Sequence, residues 1–510
     1  MSRAALIVAA SAALALTGCA RAPAPPAVPT KTEEAPVVLM PVPAEPTISF
    51  SVQFAVGSQN DPPGKEGLAF LTGQMLADAA TEARSLDQIL EALYPLAAAY
   101  TMRVDRERST FTGRVHKDNL DAYLELFTDA LLHPKFAQAD FERVRSDAVN
   151  EIENTLRYSS DEELGKATLN EFVFRGTPYA HPTAGTVAGL KAVTLDDVRA
   201  FYRQHYTAGN VLLGMAGGFD DALVARMKAA LAKLPAGGAT PAPSIAPAPI
   251  DGRSVLLVDK PGADASISFG FPIDVHRGEK DFYALWIANS WLGEHRNQSS
   301  HLFHVIREER GLNYGDYSYI EAFPEGGERM MPPVNVPRRQ QLFEVWIRTL
   351  PNAQAPFALR AALRELTNLV DRGMSAEDFE LTRTFLKKYS LHYAETTAAR
   401  LGYAMDDRFY GIDGEGHLAR FRRMMDALTL DDVNAAIRKH LQYRNLKIAI
   451  VTGEAAKLRT TLASDAPTPI TYPTPKPDAI LAEDKEIAAV PFGIAAERIG
   501  SIGVMEAFER

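Results

Sequence analysis

Cysteine is almost absent from this chain. The 510 residues include one, Cys19, so no intrachain disulfide can form and a cysteine-based zinc site is excluded. An excess of positive charge is missing too. Lys and Arg total 54 against 64 Asp and Glu, for a net charge of −10. Nonspecific nucleic-acid binding runs on clustered cations, so that class falls away, although a local basic groove is still allowed. No Gly-x-Ser-x-Gly, no phosphate loop and no Gly-x-Gly-x-x-Gly after a strand pattern occurs. The common serine-hydrolase and nucleotide-binding signatures are therefore absent. What is present is the composition of a soluble globular protein, 46% hydrophobic and 23% charged. The length exceeds what one core supports, so two or more domains are expected.

The start of the chain reads as a leader. A short positive start, Met1-Ser2-Arg3, precedes an apolar run from Ala4 to Leu16. That run suits the hydrophobic segment of a signal peptide and is too short to span a bilayer. It ends in Leu16-Thr17-Gly18-Cys19, which resembles a bacterial lipoprotein box. The resemblance implies cleavage before Cys19 and lipidation of that residue, with stable anchoring from more than one acyl chain. A plain secretory signal with an incidental Cys is the alternative. Ala20 follows, not Asp, which by the same resemblance favours the outer membrane, facing the periplasm. Residues 1–18 are thus expected to be a signal peptide. Residues 19–46, rich in Pro and Ala, are expected to be a polyproline-like tether that reaches ~80 Å at ~3.1 Å per residue.

Beyond the tether, Ile48, Phe50, Val52, Phe54 and Val56 alternate with Ser49, Ser51 and Gln53. This is the pattern of a half-buried strand. A helix is expected from about Gly67 to Ala80, strands at Tyr100–Asp105 and Ser109–Val115, and a long helix from Gln138 to about Leu156. The strand Val211–Ala216 closes a first unit. Residues 235–252 are rich in Pro, Ala and Gly and read as a linker.

Past the linker the sequence repeats itself. Thr194-Leu195-Asp196-Asp197-Val198 matches Thr429-Leu430-Asp431-Asp432-Val433, an offset of 235 (429 − 194). At the same offset Ala200, Arg203, His205, Asn210 and Gly218 meet Ala435, Arg438, His440, Asn445 and Gly453. Each copy has Thr at a helix cap, Asp in the first turn, and Arg and His in the last, as the helix dipole favours. Asp140-Phe141-Glu142 is echoed by Asp378-Phe379-Glu380, an offset of 238 (378 − 140). The chain is a tandem duplication of one α+β unit, with domains at 47–234 and 253–462. A Pro-rich tail, 463–510, has no assigned place and is able to fold back on the domains.

One stretch carries a family resemblance. Gly57-Ser58-Gln59-Asn60-Asp61-Pro62-Pro63-Gly64-Lys65 is a turn that feeds Gly67-Leu68-Ala69-Phe70-Leu71-Thr72-Gly73-Gln74. Together these resemble the pitrilysin/insulinase/mitochondrial-processing-peptidase family, where Gly-Leu-Ala leads into the zinc motif His-x-x-Glu-His. In that alignment the first His falls on Phe70, the Glu on Gly73 and the second His on Gln74. The chemistry needs two imidazoles one helical turn apart, a third ligand, and a Glu to take a proton from zinc-bound water. Phe70 has no lone pair, Gly73 no side chain, and Gln74 offers a neutral amide oxygen, a poor zinc ligand. The family's third ligand, a Glu, corresponds to Glu151. One carboxylate alone holds no zinc usefully. Phe70 also reads as a core residue, and Glu151 as a surface acid near Arg143 and Arg145. His301 and His304 form a close pair without further supporting acids. No catalytic residue and no metal or cofactor are therefore expected in this chain.

In the second half Trp291-Leu292-Gly293, Ser300-His301-Leu302-Phe303 and Arg307-Glu308-Glu309-Arg310-Gly311-Leu312-Asn313-Tyr314 also resemble the family. There the second half supplies an Arg/Tyr pair that contacts peptide. Arg310, Tyr314, Tyr317 and Arg348 (with Tyr319) are the candidates by chemistry; hinge and packing roles are the alternative. The resemblance implies an α+β fold in which two homologous domains, each a mostly antiparallel sheet packed with helices, face each other around a peptide-holding cavity. It implies a non-catalytic, peptide-binding subunit that pairs with a zinc-bearing paralogue in the bacterial cell envelope, the zinc residing only in the partner. A stand-alone peptide-binding or assembly scaffold, and a peptidase acting through an unrecognised site, are the alternatives.

Overall fold

The computed structural model describes residues 35–510; Cys19 and the expected leader lie outside the described residues. Two sheets organise the chain. The first contains β1 (Val37–Pro41), β2 (Thr47–Phe54), β3 (Ala99–Val104), β4 (Ser109–His116) and β5 (Val211–Gly217), in the order β1-β5-β2-β4-β3. The second contains β6 (Ser254–Asp259), β7 (Ala265–Ile273), β8 (Asp316–Tyr319), β9 (Gln341–Leu350), β10 (Lys447–Thr452) and β11 (Ile499–Gly503), in the order β11-β6-β10-β7-β9-β8. Without β11 the two orders are the same. In each sheet the first strand runs parallel to the last of its half, β1 to β5 and β6 to β10; β11 also pairs parallel with β6, and the remaining pairings are antiparallel. The duplication is therefore topological as well as sequential.

The repeated helices match in detail. Leu195–His205 and Leu430–His440 each have 11 residues. Thr194 accepts from the Asp197 amide at 3.2 Å and Thr429 from that of Asp432 at 3.2 Å. Each Asp reaches back to its Thr amide, so two otherwise unpaired donors are satisfied at each start. The helices Gln138–Asn150 and Ala376–Tyr389 carry the second echo. Gln138–Asn150 runs on into a wider π-type segment, Glu151–Ser159, a form often found at functional positions.

Two expectations need correction, and the tail left unplaced by the sequence finds its place. Val37–Pro41 lies inside the stretch read as tether, yet it is an edge strand paired with β5. Strand β2 is not half-buried, since Ser49, Ser51 and Gln53 are buried along with its apolar face. The tail is part of the fold, its helix Asp478–Ala488 and strand β11 lying on the second half.

The second correction has a physical cause. One face of each sheet packs on helices of its own half. The other face is covered from across the molecule. The helix Thr397–Tyr410, from the second half, lies on β1, β2 and β5, where Leu401 and Met405 pack with Ala216. The helix Asp161–Phe174, from the first half, lies on β7, β9 and β10, where Leu169, Val173 and Phe174 meet Ala449. Close approach requires small residues. A Cβ on Gly214 would fall 2.7 Å from the Met405 sulfur, and Gly165 faces Ser268 and Ser266.

The end of the chain ties the halves together. After β11, the amides of Val187 and Ala188 donate to the carbonyls of Phe508 and Glu509, at 3.0 and 2.9 Å. Arg157, 0% exposed, donates to the Ala507 carbonyl at 3.0 Å and to the Glu509 carboxylate at 2.8 Å. Deleting residues 499–510 would strand this buried guanidinium, a loss of roughly 3–5 kcal/mol. The truncated protein is expected to unfold at clearly lower denaturant and to be cut faster by protease than the full chain. Unchanged unfolding midpoints would refute the tie.

Candidate functional site

A cavity of about 950 Å³ opens between the halves. The first half supplies Phe70 and Gln74 from the helix Leu68–Ala77, the end of β3 from Met102 onward, and Arg143, Asp147 and Glu151 from the long helix. Glu163, Lys166 and Asn170 come from Asp161–Phe174. The second half supplies the loop after β8, with Phe323, Glu325 and Glu328, together with Arg338, Gln340, Leu342 and Glu344 at β9.

The entrance to the helix Leu68–Ala77 is built from the turn before it. The buried Asp61 carboxylate accepts from the amides of Gly67 and Ala69, both at 2.7 Å, and so holds the helix start. Burial pushes its carboxyl up to about 8, against those two donations, which favour the anion. His181 Nε2 stands 3.9 Å away, and burial holds that imidazole below its usual range. Gly67 has φ 110°, and a Cβ there would lie 2.5 Å from Leu190 and 2.7 Å from the Ala184 carbonyl. The turn accepts glycine alone without strain.

The positions aligned with the zinc motif do not fit the metal. Phe70 and Gln74 do lie on the cavity wall with Glu151, so the alignment brings together the places where ligands would stand. The donors are missing. The Gln74 amide is turned to the Met102 carbonyl, at 3.4 Å. Gly73 is closed off, since a Cβ there would sit 2.4 Å from Val104 Cγ2 and 3.0 Å from Met102. A catalytic Glu has no room unless the Val104 and Met102 side chains give way. Among the described residues no group of three or more His, Cys, Asp or Glu is placed to hold a metal ion. His301 pairs with Glu365 at 2.7 Å and His304 with Glu308 at 2.7 Å, on separate carboxylates.

The second-half candidates are placed elsewhere than expected. None of Arg310, Tyr314, Tyr317 and Arg348 lines the cavity. Arg310 is buried and clamps the tail helix, with Asp484 at 2.8 Å, Glu483 at 2.7 Å and Glu309 at 2.8 Å. Tyr314 is 78% exposed, beside the Arg307 guanidinium at 5.6 Å. Tyr317 is buried against Trp346 and His295. Arg348 bonds Glu162 at 2.6 Å and so holds the helix Asp161–Phe174. Tyr319 is buried beneath the Lys166 ammonium, 5.1 Å from its ring. Arg310, Tyr317, Tyr319 and Arg348 are occupied in holding the fold, and Tyr314 stands in solvent.

Beside Phe70, Gln74 and Glu151, the wall is made by residues that sequence reading passed over. Lys166 donates to the Phe323 carbonyl at 2.9 Å and lies 4.4 Å from the Trp346 ring centre. Arg338 pairs with Asp105 at 3.1 Å and Arg103 with Glu325 at 3.3 Å, each across the two halves. Burial would raise Asp105, but Arg338 and Arg103 hold it below the usual carboxylate range. Glu344 is 7% exposed, and its Oε1 has no hydrogen-bond partner. Burial pushes it up to about 7, opposed by Lys166 and assisted by Glu163. One signal was visible: an acid at the centre of Leu342-Phe343-Glu344-Val345-Trp346.

With the geometry in place, the comparisons decide the family. A model described as insulinase (peptidase family M16) matches residues 37–187, and one described as peptidase M16 inactive domain matches 192–386. The chain belongs to the M16 insulinase family. The second match lies wholly beyond residue 191, so the words "inactive domain" do not bear on Phe70, Gly73 and Gln74. An uncharacterized zinc protease of Streptomyces coelicolor is 25% identical over 354 residues, 67% of this chain and 71% of that protein. A solved peptidase M16 inactive domain from Pseudomonas fluorescens superposes with a TM-score of 0.71 at 22% identity, covering 82% of this chain and 96% of the other. A chain of complex III2 from Candida albicans gives 0.64 at 15% identity, covering 81% and 93%. At these identities the two structures attest the fold.

Two predictions follow from the packing and the charge of this site. Helix propensity alone would make Gly73→Ala stabilising by about 1 kcal/mol. The contact with Val104 makes it destabilising instead, by about 1–3 kcal/mol, and Val104→Ala in the same chain should recover much of the loss. Denaturant midpoints of the three variants check this. For Glu344 the folded protein keeps a proton that the unfolded chain gives up above its ordinary pKa near 4.5. Stability is therefore lost as pH rises from about 4.5 to about 7 and stays lost above that range. Glu344→Gln removes this penalty, roughly 3 kcal/mol at most. Its melting temperature relative to the parent should rise more at pH 8 than at pH 5. An equal shift at both would sink the assignment.

Proposed function

We propose that this chain is the non-catalytic, peptide-binding member of a membrane-anchored M16 pair whose zinc is carried by a paralogous subunit. The observation that carries the reading is the contrast at one wall. The cavity between the halves is present, while the positions where zinc and its base would stand hold Phe70, a Gly73 packed against Val104, and Gln74. Such a wall binds a substrate chain without cleaving it. The partner would contribute zinc-bound water and a general base. On this reading Cys19 carries the lipid, residues 20–36 form the spacer, and the protein sits at the outer membrane facing the periplasm.

The stand-alone scaffold is a second reading. It is favoured by the mutual covering of the sheets and by the tail that ties the halves, both of which resist opening. Co-purification from detergent-solubilised membranes separates the two. The expected result is a second M16 chain with an intact His-x-x-Glu-His, whose chelator-sensitive peptidase activity falls at least tenfold when this chain is removed. Equal activity of the partner alone would overturn the pairing. The anchor is checked separately by Cys19→Ser, which should move the protein from the membrane to the soluble periplasmic fraction.

A further inference from the structure

We propose that the segment 323–331 is a lid that fills a peptide's place in the cavity. Its main chain takes the groups of Lys166 and Glu163 that the main chain of a bound peptide would take, so a peptide enters only as the lid lifts. This deepens the peptide-binding reading above and rests on it.

The duplication sets this segment apart. In the strand orders of the two sheets, β3 and β4 hold the places of β8 and β9. Four residues join β3 to β4 (109 − 104 − 1), and 21 join β8 to β9 (341 − 319 − 1). A compact fold rarely carries so long a connection without a binding or covering role. The connection is held differently along its length. Its end is anchored in the short turn that is its counterpart. Arg338 pairs with Asp105 at 3.1 Å, and Arg339 reaches Glu107 with its amide and its guanidinium, both at 2.7 Å. Earlier in the connection Phe323, Pro324, Glu325, Gly327 and Glu328 line the cavity. Of this segment Glu325, Gly327, Glu328 and Met330 are exposed. Glu325 has φ 59°, a conformation that strains a residue with a side chain, and Gly326 and Gly327 follow it. A strained residue beside paired glycines is where a lid can bend.

The contacts that hold the segment are those a peptide would make. The Lys166 ammonium donates to the Phe323 carbonyl at 2.9 Å, and the Gly327 amide donates to the Glu163 carboxylate at 3.4 Å. Both are contacts to main chain, and an extended peptide offers the same carbonyls and N–H groups whatever its side chains. A charged partner makes such bonds stronger than a neutral one. One side-chain tie joins the segment to β3, Arg103 with Glu325 at 3.3 Å. Glu325 is half exposed there, so this tie adds little. The lid is therefore held mainly by groups that a peptide can take over from it.

The paired glycines allow a steric test that removes no charged group. A Cβ on Gly326 would fall 2.9 Å from the Trp346 ring and 3.2 Å from the Lys166 ammonium, whereas one on Gly327 meets nothing within 4 Å. Neither glycine has a positive φ. Gly326→Ala thus pushes the lid off the wall, and Gly327→Ala leaves it in place. Hydrogen exchange over 323–331 is followed in the full chain in detergent, and a short fluorescein-labelled peptide of Ala, Ser and Thr is then titrated in. Gly326→Ala is expected to exchange this segment about tenfold faster than the parent and to bind the peptide about fivefold more tightly, with Gly327→Ala like the parent in both. Adding Lys166→Met to Gly326→Ala should weaken peptide binding by about tenfold, since the lifted lid no longer shares that group. Unchanged exchange in Gly326→Ala overturns the lid. Faster exchange with unchanged peptide affinity overturns the competition and leaves peptide binding intact. An affinity indifferent to Lys166→Met overturns the assignment of that ammonium to the peptide main chain. Faster exchange in Gly326→Ala with no peptide bound by any variant overturns the peptide-binding reading and the competition with it, while the lid's movement stands.

Discussion

The mutual covering of the two sheets is the constraint on which the rest of the structure depends. A sheet with one face on its own helices leaves the other face bare, and bare strands must find cover or shed their apolar side chains. Here each half lends a helix to its counterpart. Asp161–Phe174 and Thr397–Tyr410 begin 236 residues apart (397 − 161), near the spacing of the sequence repeat, so the exchange obeys the duplication. Burying Leu169, Val173 and Phe174 on one side and Leu401 and Met405 on the other contributes roughly 1.5–3 kcal/mol per side chain. Surface ion pairs contribute about 0–1 kcal/mol each. The exchange, more than the ion pairs, therefore sets how the halves stand.

That hierarchy explains the cavity. The lent helix Asp161–Phe174 covers one sheet with its apolar residues and turns Glu163, Lys166 and Asn170 to the space beside it. The cavity is what is left between this helix, the end of β3 and the front of β9. Arg338 with Asp105 and Arg103 with Glu325 then fasten its rim. Desolvation makes the first of these pairs more demanding than the second. Asp105 and Arg338 are both largely withdrawn from water, and removing either would leave the other a buried uncompensated charge.

Much of the architecture was legible because repeats and strand alternation are local signals. The capped helices at Thr194 and Thr429, the strands β3, β4 and β5, and the helix after Gly67 fall within a few residues of expectation. The errors come from contacts that no local pattern encodes. Ser49 and Ser51 look solvent-facing in sequence. They are buried because small residues admit a helix from the other half, as Ser266 and Ser268 do on the facing sheet. Strand β1 was hidden by the prolines around it, yet the duplication implied it. The second half opens with β6 ahead of β7, so the first half needs a counterpart ahead of Thr47. Arg310 and Tyr317 have the composition of a binding site, but only the fold discloses that Arg310 is spent on the tail helix and Tyr317 on Trp346.

The stretch at 67–76 is best understood as two features that share a sequence. One is architectural. Gly67 at positive φ and the Asp61 carboxylate on the amides of Gly67 and Ala69 aim a helix at the cavity. The other would be chemical, and it is missing at three positions. The architecture stands without the chemistry, because the two depend on different atoms: the helix start on backbone donors, the metal site on side chains along one face. Gly73 makes the separation explicit. A side chain there would have to displace Val104 of β3, so the helix now lies against the strand at a distance that a catalytic Glu does not permit. The closed contact at Gly73 stabilises the wall of the cavity and at the same time keeps a base from being supplied by substitution at that position alone.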